Sequence, residues 1–486
     1  MSGTLKQHKL KKGKFVTPLN SIPNLAEMSN DDSWAYGRLA EYIWIGLVLD
    51  YYGRDAGLRK MVEIINGLHA IAPEIVVPKI SVILKLEESI QRKVYNLICT
   101  IVDKKTLTPL TVFLTHSYAP VFSEVFYSEE IGIEERIKGL TQTMSSFMWH
   151  QSNDATDIRF IILYSWILSG KMHLPIDLIK MIWRYPELPH DDEEMRMIRP
   201  MIRSSEMNSI HIAPADHNYI SSFWRCVSEM TDCNLLSVQY PEESRDCSTF
   251  IEILHEIFLY LSSLYSSTQP LDDKMIVLLG IATYSYKQFK EVYDLKLSNS
   301  ITGRSSIRLL IEDFIMMKYL LKNETEHPNI WQEYMMYGIG QYKLVLLRWR
   351  ASGEKRDEAH FDMKYIDLLV NEDVIEDAID MDTKYFNKQS MREKADSVDE
   401  KDLYGLLYDY DSSFEHGLWG AIRETSLLKC DNPAHQYHCV PDVHNDIRLK
   451  SVLPDCIMVM KKTIQLLNEV YGIPNELLNE VMSYEI

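Results

Sequence analysis

The stretch Gly303-Arg304-Ser305-Ser306-Ile307-Arg308-Leu309-Leu310-Ile311-Glu312-Asp313-Phe314-Ile315-Met316-Met317 decides the fold class. Arg304, Arg308 and Glu312 recur every fourth position, which puts them on one face of an α-helix in adjacent turns. Ile307, Leu310, Ile311 and Phe314 fill the opposite positions with apolar side chains. A narrow polar stripe on a largely apolar helix faces either another polar stripe or a pocket.

The same helical period extends in both directions. Downstream and upstream of this stretch it predicts helices at 248–266, 271–292, 301–322, 329–351, 359–371, 373–386, 399–427, 448–470 and 474–484. Nearer the N-terminus a helix is expected from Asp32 to Tyr52, capped by Asp31, Asp32 or Ser33 and ended by Gly53. Leu39, Ile43, Leu47 and Tyr51 give its period, and Arg38 and Glu41 interrupt it. Further helices are expected at 55–69, 79–102, 107–127, 131–149, 154–170 and 174–184. The segment 191–247 changes character, with an acidic run at Asp191 to Glu194 and with Pro200 and Pro214. The expected fold is mainly all-α: a tail over 1–30, a helical domain over 31–190, an irregular connector over 191–247, and a second helical domain over 248–486. No fixed repeat of solenoid length, no GxGxxG and no P-loop is present.

Composition narrows the function classes. The chain has 486 residues, 46% hydrophobic and 25% charged, the mix of a folded globular protein with more than one core. Its formal net charge of −19 excludes nucleic-acid binding through the field of the whole molecule, so any such contact needs a local basic cleft. The one basic run, Lys6, Lys9, Lys11, Lys12 and Lys14, lies in the tail. Seven cysteines, odd in number and widely scattered, point to a reducing compartment and a cytoplasmic protein. The basic N-terminus lacks the apolar core of a secretory signal. The longest uncharged apolar stretch, Met275 to Tyr284, is too short for a bilayer and reads as a buried helix.

A second polar stripe answers the first. Tyr408, Ser412 and His416 are again four residues apart, among Leu406, Leu407, Phe414, Leu418 and Trp419. Tyr, Ser and His offer donors and acceptors complementary to Arg and Glu. Packed face to face, the two stripes make a network of Arg, Glu, Tyr, Ser and His. Such a set supports proton transfer by His416, with Arg304 and Arg308 holding a phosphate or carboxylate and Glu312 orienting a partner. This is equipment for cutting RNA through its own 2′-hydroxyl without a metal. The same residues equally serve to lock two helices together.

A Cys and His cluster follows: Cys430-Asp-Asn-Pro-Ala-His435-Gln-Tyr-His438-Cys439-Val-Pro-Asp-Val-His444. Its C-x4-H-x2-H spacing matches no standard zinc finger, no CxxC is present, and His438 and Cys439 are adjacent. It is read as a structured loop built on Asn432-Pro433 turn chemistry, with His435 and His438 beside the second stripe as further substrate contacts. No metal and no cofactor is expected. Arg184-x5-His190 is broken by Pro186 and Pro189 and is set aside. The carboxylates at Glu372, Asp373, Asp377, Asp380 and Asp382 lack the spacing and glycine of a calcium loop.

Four motifs together resemble an uncharacterised bacterial family of large helical proteins. These are Gly303-Arg304-x3-Arg308-x3-Glu312, Trp331-x2-Tyr334-x2-Tyr337-Gly338-x-Gly340-Gln341-x-Lys343, Tyr408-x3-Ser412-x3-His416-Gly417-x-Trp419-Gly420, and Cys430-x-Asn432-Pro433-x-His435-x2-His438. Arg38-Leu-Ala-Glu41-x2-Trp44 is similar to that family's opening segment. The Tyr-x3-Ser-x3-His helix also resembles the HEPN-like and abortive-infection proteins of bacterial defence, in which a buried Arg and His pair often cleaves RNA without metal. The chain departs from their R-x4-6-H pattern, because its Arg and His lie about a hundred residues apart. The resemblance implies a cytoplasmic antiviral effector acting on RNA or a nucleotide. Its catalytic residues would be His416, Arg304, Arg308 and Glu312, with Tyr408, Ser412, His435 and His438 binding substrate. The rival is a non-enzymatic helical interaction or sensor protein that binds a protein partner through its N-terminal domain. Neither reading involves a membrane, and an oligomer is compatible with both.

Overall fold

The computed structural model describes residues 8–11, 14–16, 33–172, 175–243, 245–267, 272–352, 360–372, 375–382 and 384–485. Helices dominate, with small sheets only, as the apolar periodicity predicts. None of the described helices is long and apolar enough to cross a membrane. The chain divides into two compact units. One takes Met1–Leu236 and Leu428–Val440, the other Ser237–Leu427 and Pro441–Ile486. Lys9–Lys11 pairs antiparallel with Lys14–Val16, so three lysines of the basic run lie on a short hairpin. Lys6 and Lys12 lie outside the described residues.

The first unit is built round the Leu39–Tyr52 helix, which is buried along most of its length. One π-helical turn, Trp34–Arg38, leads into it; Ser33 caps that turn by accepting from the Tyr36 N–H, and Gly53 at φ 73° ends the helix. Its residues Ile43, Trp44 and Val48 share a core with Ile64 and Ile65 of the Arg54–Ile71 helix. Met144 of the Ile133–Phe147 helix and Ile161 of the Asn153–Leu168 helix join the same core. The polar interruptions are buried too. Arg38 pairs with fully buried Glu206, whose other oxygen lies 3.4 Å from Arg159 Nε. The Arg159 guanidinium stacks 4.5 Å from the centre of the Trp34 ring. Glu41 accepts from the Ser81 amide at 3.1 Å and its hydroxyl at 2.6 Å, and burial raises its carboxyl pKa.

The second unit centres on the Ile301–Asn323 helix. Ser300 caps it by accepting from Gly303 N–H at 3.1 Å. Its apolar face, with Ile307, Leu310, Ile311 and Met317, packs among Leu278 and Phe289 of Asp273–Asp294. Ile457, Met460 and Ile464 of Leu453–Tyr471 and Phe250 of Ser248–Ser266 complete the core. Gly303 allows a close approach: a Cβ there would lie 2.4 Å from the Leu297 carbonyl oxygen.

Several expected helices are broken. Where 107–127 read as one helix, short 3₁₀ turns, Lys104–Thr106 and Thr108–Val112, precede Pro120–Phe126, with Pro109 and Pro120 as the interruptions. Within 373–386 the described residues form 3₁₀ turns at Glu376–Ala378 and, overlapping its end, Phe386–Lys388. The segment 191–247 holds two helices of thirteen residues, Met195–Met207 and His217–Glu229. The expected helix over 399–427 divides into Lys401–Leu403, a π-helical turn Tyr404–Tyr408, Asp409–Glu415 and Trp419–Ser426.

Candidate functional site

The two predicted stripes meet within the second unit. Arg308 Nε donates to Ser412 Oγ at 3.0 Å, and its Nη2 donates to the Tyr408 hydroxyl at 2.7 Å. The Tyr408 hydroxyl in turn donates to Glu312 at 3.2 Å, and Tyr385 donates to the other Glu312 oxygen at 2.6 Å. Glu312 also lies 3.7 Å from Arg308 one turn earlier. Burial and the Glu312 carboxylate push the Tyr408 phenol up to about 12, so it stays a protonated donor. The adjacent Asp313 faces the other way and accepts from Ser285 at 2.7 Å; burial raises its carboxyl to about 7.

Arg304 is buried and sits deeper. Its Nη2 donates to the Lys450 carbonyl at 2.7 Å, and its guanidinium lies 5.5 Å from the ring of Tyr410 and 5.7 Å from that of Phe414. Its Nε stands 3.9 Å from Asp411 Oδ1, too far for a hydrogen bond, and both atoms are buried without one. Desolvation raises the Asp411 carboxyl to about 7 against the pull of Arg304.

His416 takes no part in this hydrogen-bonded network among the described residues. The helix stops at Glu415, and Gly417 turns left-handed at φ 55°. Leu418 N–H bonds back to the Ser413 carbonyl at 2.9 Å and Gly417 N–H to that of Phe414 at 3.2 Å. Those two bonds are the Schellman closure of a helix. His416 is the capping residue, exposed, and among the described residues no hydrogen bond or ion pair joins its ring to Arg304, Arg308 or Glu312. His416 N–H makes the last i to i−4 bond of the helix, to the Ser412 carbonyl at 3.1 Å, so the residue stands one turn beyond Ser412 at the exposed helix end.

His435 and His438 lie in the first unit. They stand beside Cys430 and a residue the sequence reading left out, Cys233. One ligand atom from each of these four side chains lies within 4.8 Å of the others. Cys233 precedes the short strand Leu235–Leu236, which pairs antiparallel with Leu427–Cys430 in the register Leu235 to Cys430. That pairing is the missing signal: two short strands far apart in sequence bring the second cysteine in. Cys439 and His444 stand outside this set.

The model of a family of unknown function, DUF5677, matches residues 275–435. That stretch carries the arginine stripe, its partner stripe, and Cys430 and His435. No curated protein and no solved structure matches the chain.

Proposed function

We propose that this chain works by binding, as a helical interaction or sensor protein, and that the stripe residues Arg304, Arg308, Glu312, Tyr408 and Ser412 hold its second unit together. The observation that carries this reading is the use of Arg308: its donors end on Ser412 and Tyr408, and its counter-charge is Glu312. Two of its five N–H donors and its counter-charge are thus committed to neighbours within the unit. Next to this clasp the surface is greasy: Leu406, Leu418 and Trp419 are exposed, and Tyr410 is bonded to Glu424 of the following helix. Exposed apolar side chains rimmed by polar ones fit a protein partner.

A second reading is supported by the Arg304–Asp411 pair. A carboxyl that titrates near neutrality beside a guanidinium, each with an unused buried polar atom, offers an acid or base and an anion contact. On this reading the chain is a HEPN-like defence effector. Arg304 and Arg308 hold the phosphate of RNA or a nucleotide, Glu312 orients, and His416 transfers the proton. His416→Ala separates the two. Binding predicts unchanged melting temperature and no change in RNA cleavage or cell toxicity. Loss of cleavage or toxicity by a variant that melts like the parent overturns it in favour of the effector.

A further inference from the structure

We propose that Cys233, Cys430, His435 and His438 form a closed, four-ligand structural zinc site in the first unit. The donor set comes first. Two thiols and two imidazoles are the ligands zinc takes in structural sites, and four protein ligands leave no open position for catalysis.

The distances fit one ion. Zinc–sulfur bonds of about 2.3 Å and zinc–nitrogen bonds of about 2.0 Å place tetrahedral ligand atoms roughly 3.3–3.8 Å apart. Cys233 Sγ lies 3.1 Å from His435 Nδ1 and 3.4 Å from His438 Nε2, and Cys430 Sγ lies 3.8 Å from His435 Nδ1.

The surroundings fix the tautomer that a metal needs. His435 Nε2 faces two carbonyl oxygens, Thr231 at 3.0 Å and Ser228 at 3.1 Å, and the Thr231 hydroxyl at 3.1 Å. Carbonyls only accept, so the hydrogen sits on Nε2 and the Nδ1 lone pair points at both sulfurs. A carbonyl on the far nitrogen is the usual support of a metal-bound imidazole.

The backbone is shaped to the same point. Asn432 donates to the Thr231 hydroxyl and the Asp232 carbonyl, both at 2.9 Å, and so pins the Cys430 segment to the Cys233 segment. Cys430 N–H bonds to the His438 carbonyl at 2.8 Å. Between the two histidines Gln436 and Tyr437 both take left-handed backbone, φ 55° and 51°, which non-glycine residues adopt at a cost. That double turn swings His438 back toward Cys233. Cys430 is fully buried. Binding Zn²⁺ expels one proton from each thiol and leaves a neutral centre of two thiolates, two imidazoles and one dication.

The test uses the full chain purified under reducing conditions without chelator. Elemental analysis should find about one zinc per chain. Cys233→Ser and Cys430→Ser should each lose most of it, while Cys439→Ser keeps it. Because such variants can fail to fold, the parent chain itself gives a second readout. After chelation and addition of Co²⁺ it should show the visible bands of tetrahedral cobalt and a thiolate-to-cobalt charge-transfer band. Sub-stoichiometric zinc together with no tetrahedral cobalt spectrum overturns the proposal. So does a Cys233–Cys430 disulfide that persists under reducing conditions, or zinc lost from Cys439→Ser but retained by Cys233→Ser.

Discussion

Arg308 and Tyr408 meet in two ways: Nη2 donates to the phenol oxygen at 2.7 Å, and the guanidinium lies 4.7 Å from the centre of the same ring. The cation therefore satisfies a hydrogen-bond acceptor and covers an aromatic face at once. With Ser412 on one side and Glu312 on the other, this pair fastens the Asp409–Glu415 helix to the Ile301–Asn323 helix.

Removing the cation should expose the strength of that clasp. Arg308→Ala strands the Tyr408, Ser412 and Glu312 groups and should cost about 2–4 kcal/mol in urea unfolding. Arg308→Lys should recover less than half of this, since a point charge cannot serve Ser412 and Tyr408 in two directions. Tyr408→Phe, which loses one accepted and one donated bond, should cost about 1–2 kcal/mol. A loss below a few tenths for Arg308→Ala would contradict a structural role.

Asp313 gives the second unit a pH dependence. Its folded pKa of about 7 exceeds the ordinary 3.8, so the folded state keeps a proton that the unfolded chain releases. Stability from this group is therefore greatest below about 4, falls as pH rises towards 7, and levels off above. Asp313→Asn should flatten that slope and raise stability at pH 8 by about 1–3 kcal/mol. Thermal melts from pH 4 to pH 8 on both proteins measure it; parallel curves would count against the assignment.

Two glycines should respond differently to alanine. Gly303→Ala drives a methyl against the Leu297 carbonyl, rigid backbone at 2.4 Å, and should cost about 2–4 kcal/mol. Gly417→Ala meets open space and costs only its left-handed backbone, about 1 kcal/mol. Equilibrium unfolding of the pair should preserve this order.

In the first unit, Glu206→Ala leaves Arg38 and Arg159 facing each other without their shared carboxylate. The expected cost is about 3–5 kcal/mol, read by denaturation. Glu206→Gln should fall between, keeping hydrogen bonds but not the charge.

The arginine stripe was legible because it lies on one uninterrupted helix, where spacing alone fixes the face. Tyr408 and Ser412 were legible by their spacing too, although a π-helical turn ends at Tyr408 and the α-helix that holds Ser412 begins at Asp409. The period also reaches His416, but the helix end at Gly417 leaves its ring exposed and outside the hydrogen-bonded network, which spacing alone does not show. The Cys and His loop was visible as a cluster. Its partner Cys233 was not, being about two hundred residues away and brought in by two strands too short to show a period. Arg38 and Glu41 were visible as interruptions of an apolar helix, but Glu206 and Ser81, which satisfy them, lie on separate segments that no local pattern connects.

The split make-up of the first unit has a consequence for synthesis. Residues 428–440 belong to it, yet they leave the ribosome long after Leu236. At ~5–20 residues per second the interval is on the order of 10–40 s. Throughout that time the strand Leu235–Leu236 has no neighbour and Cys233 has neither Cys430 nor the two histidines beside it. The nascent chain must guard one bare strand edge and one lone thiol until translation supplies their counterparts.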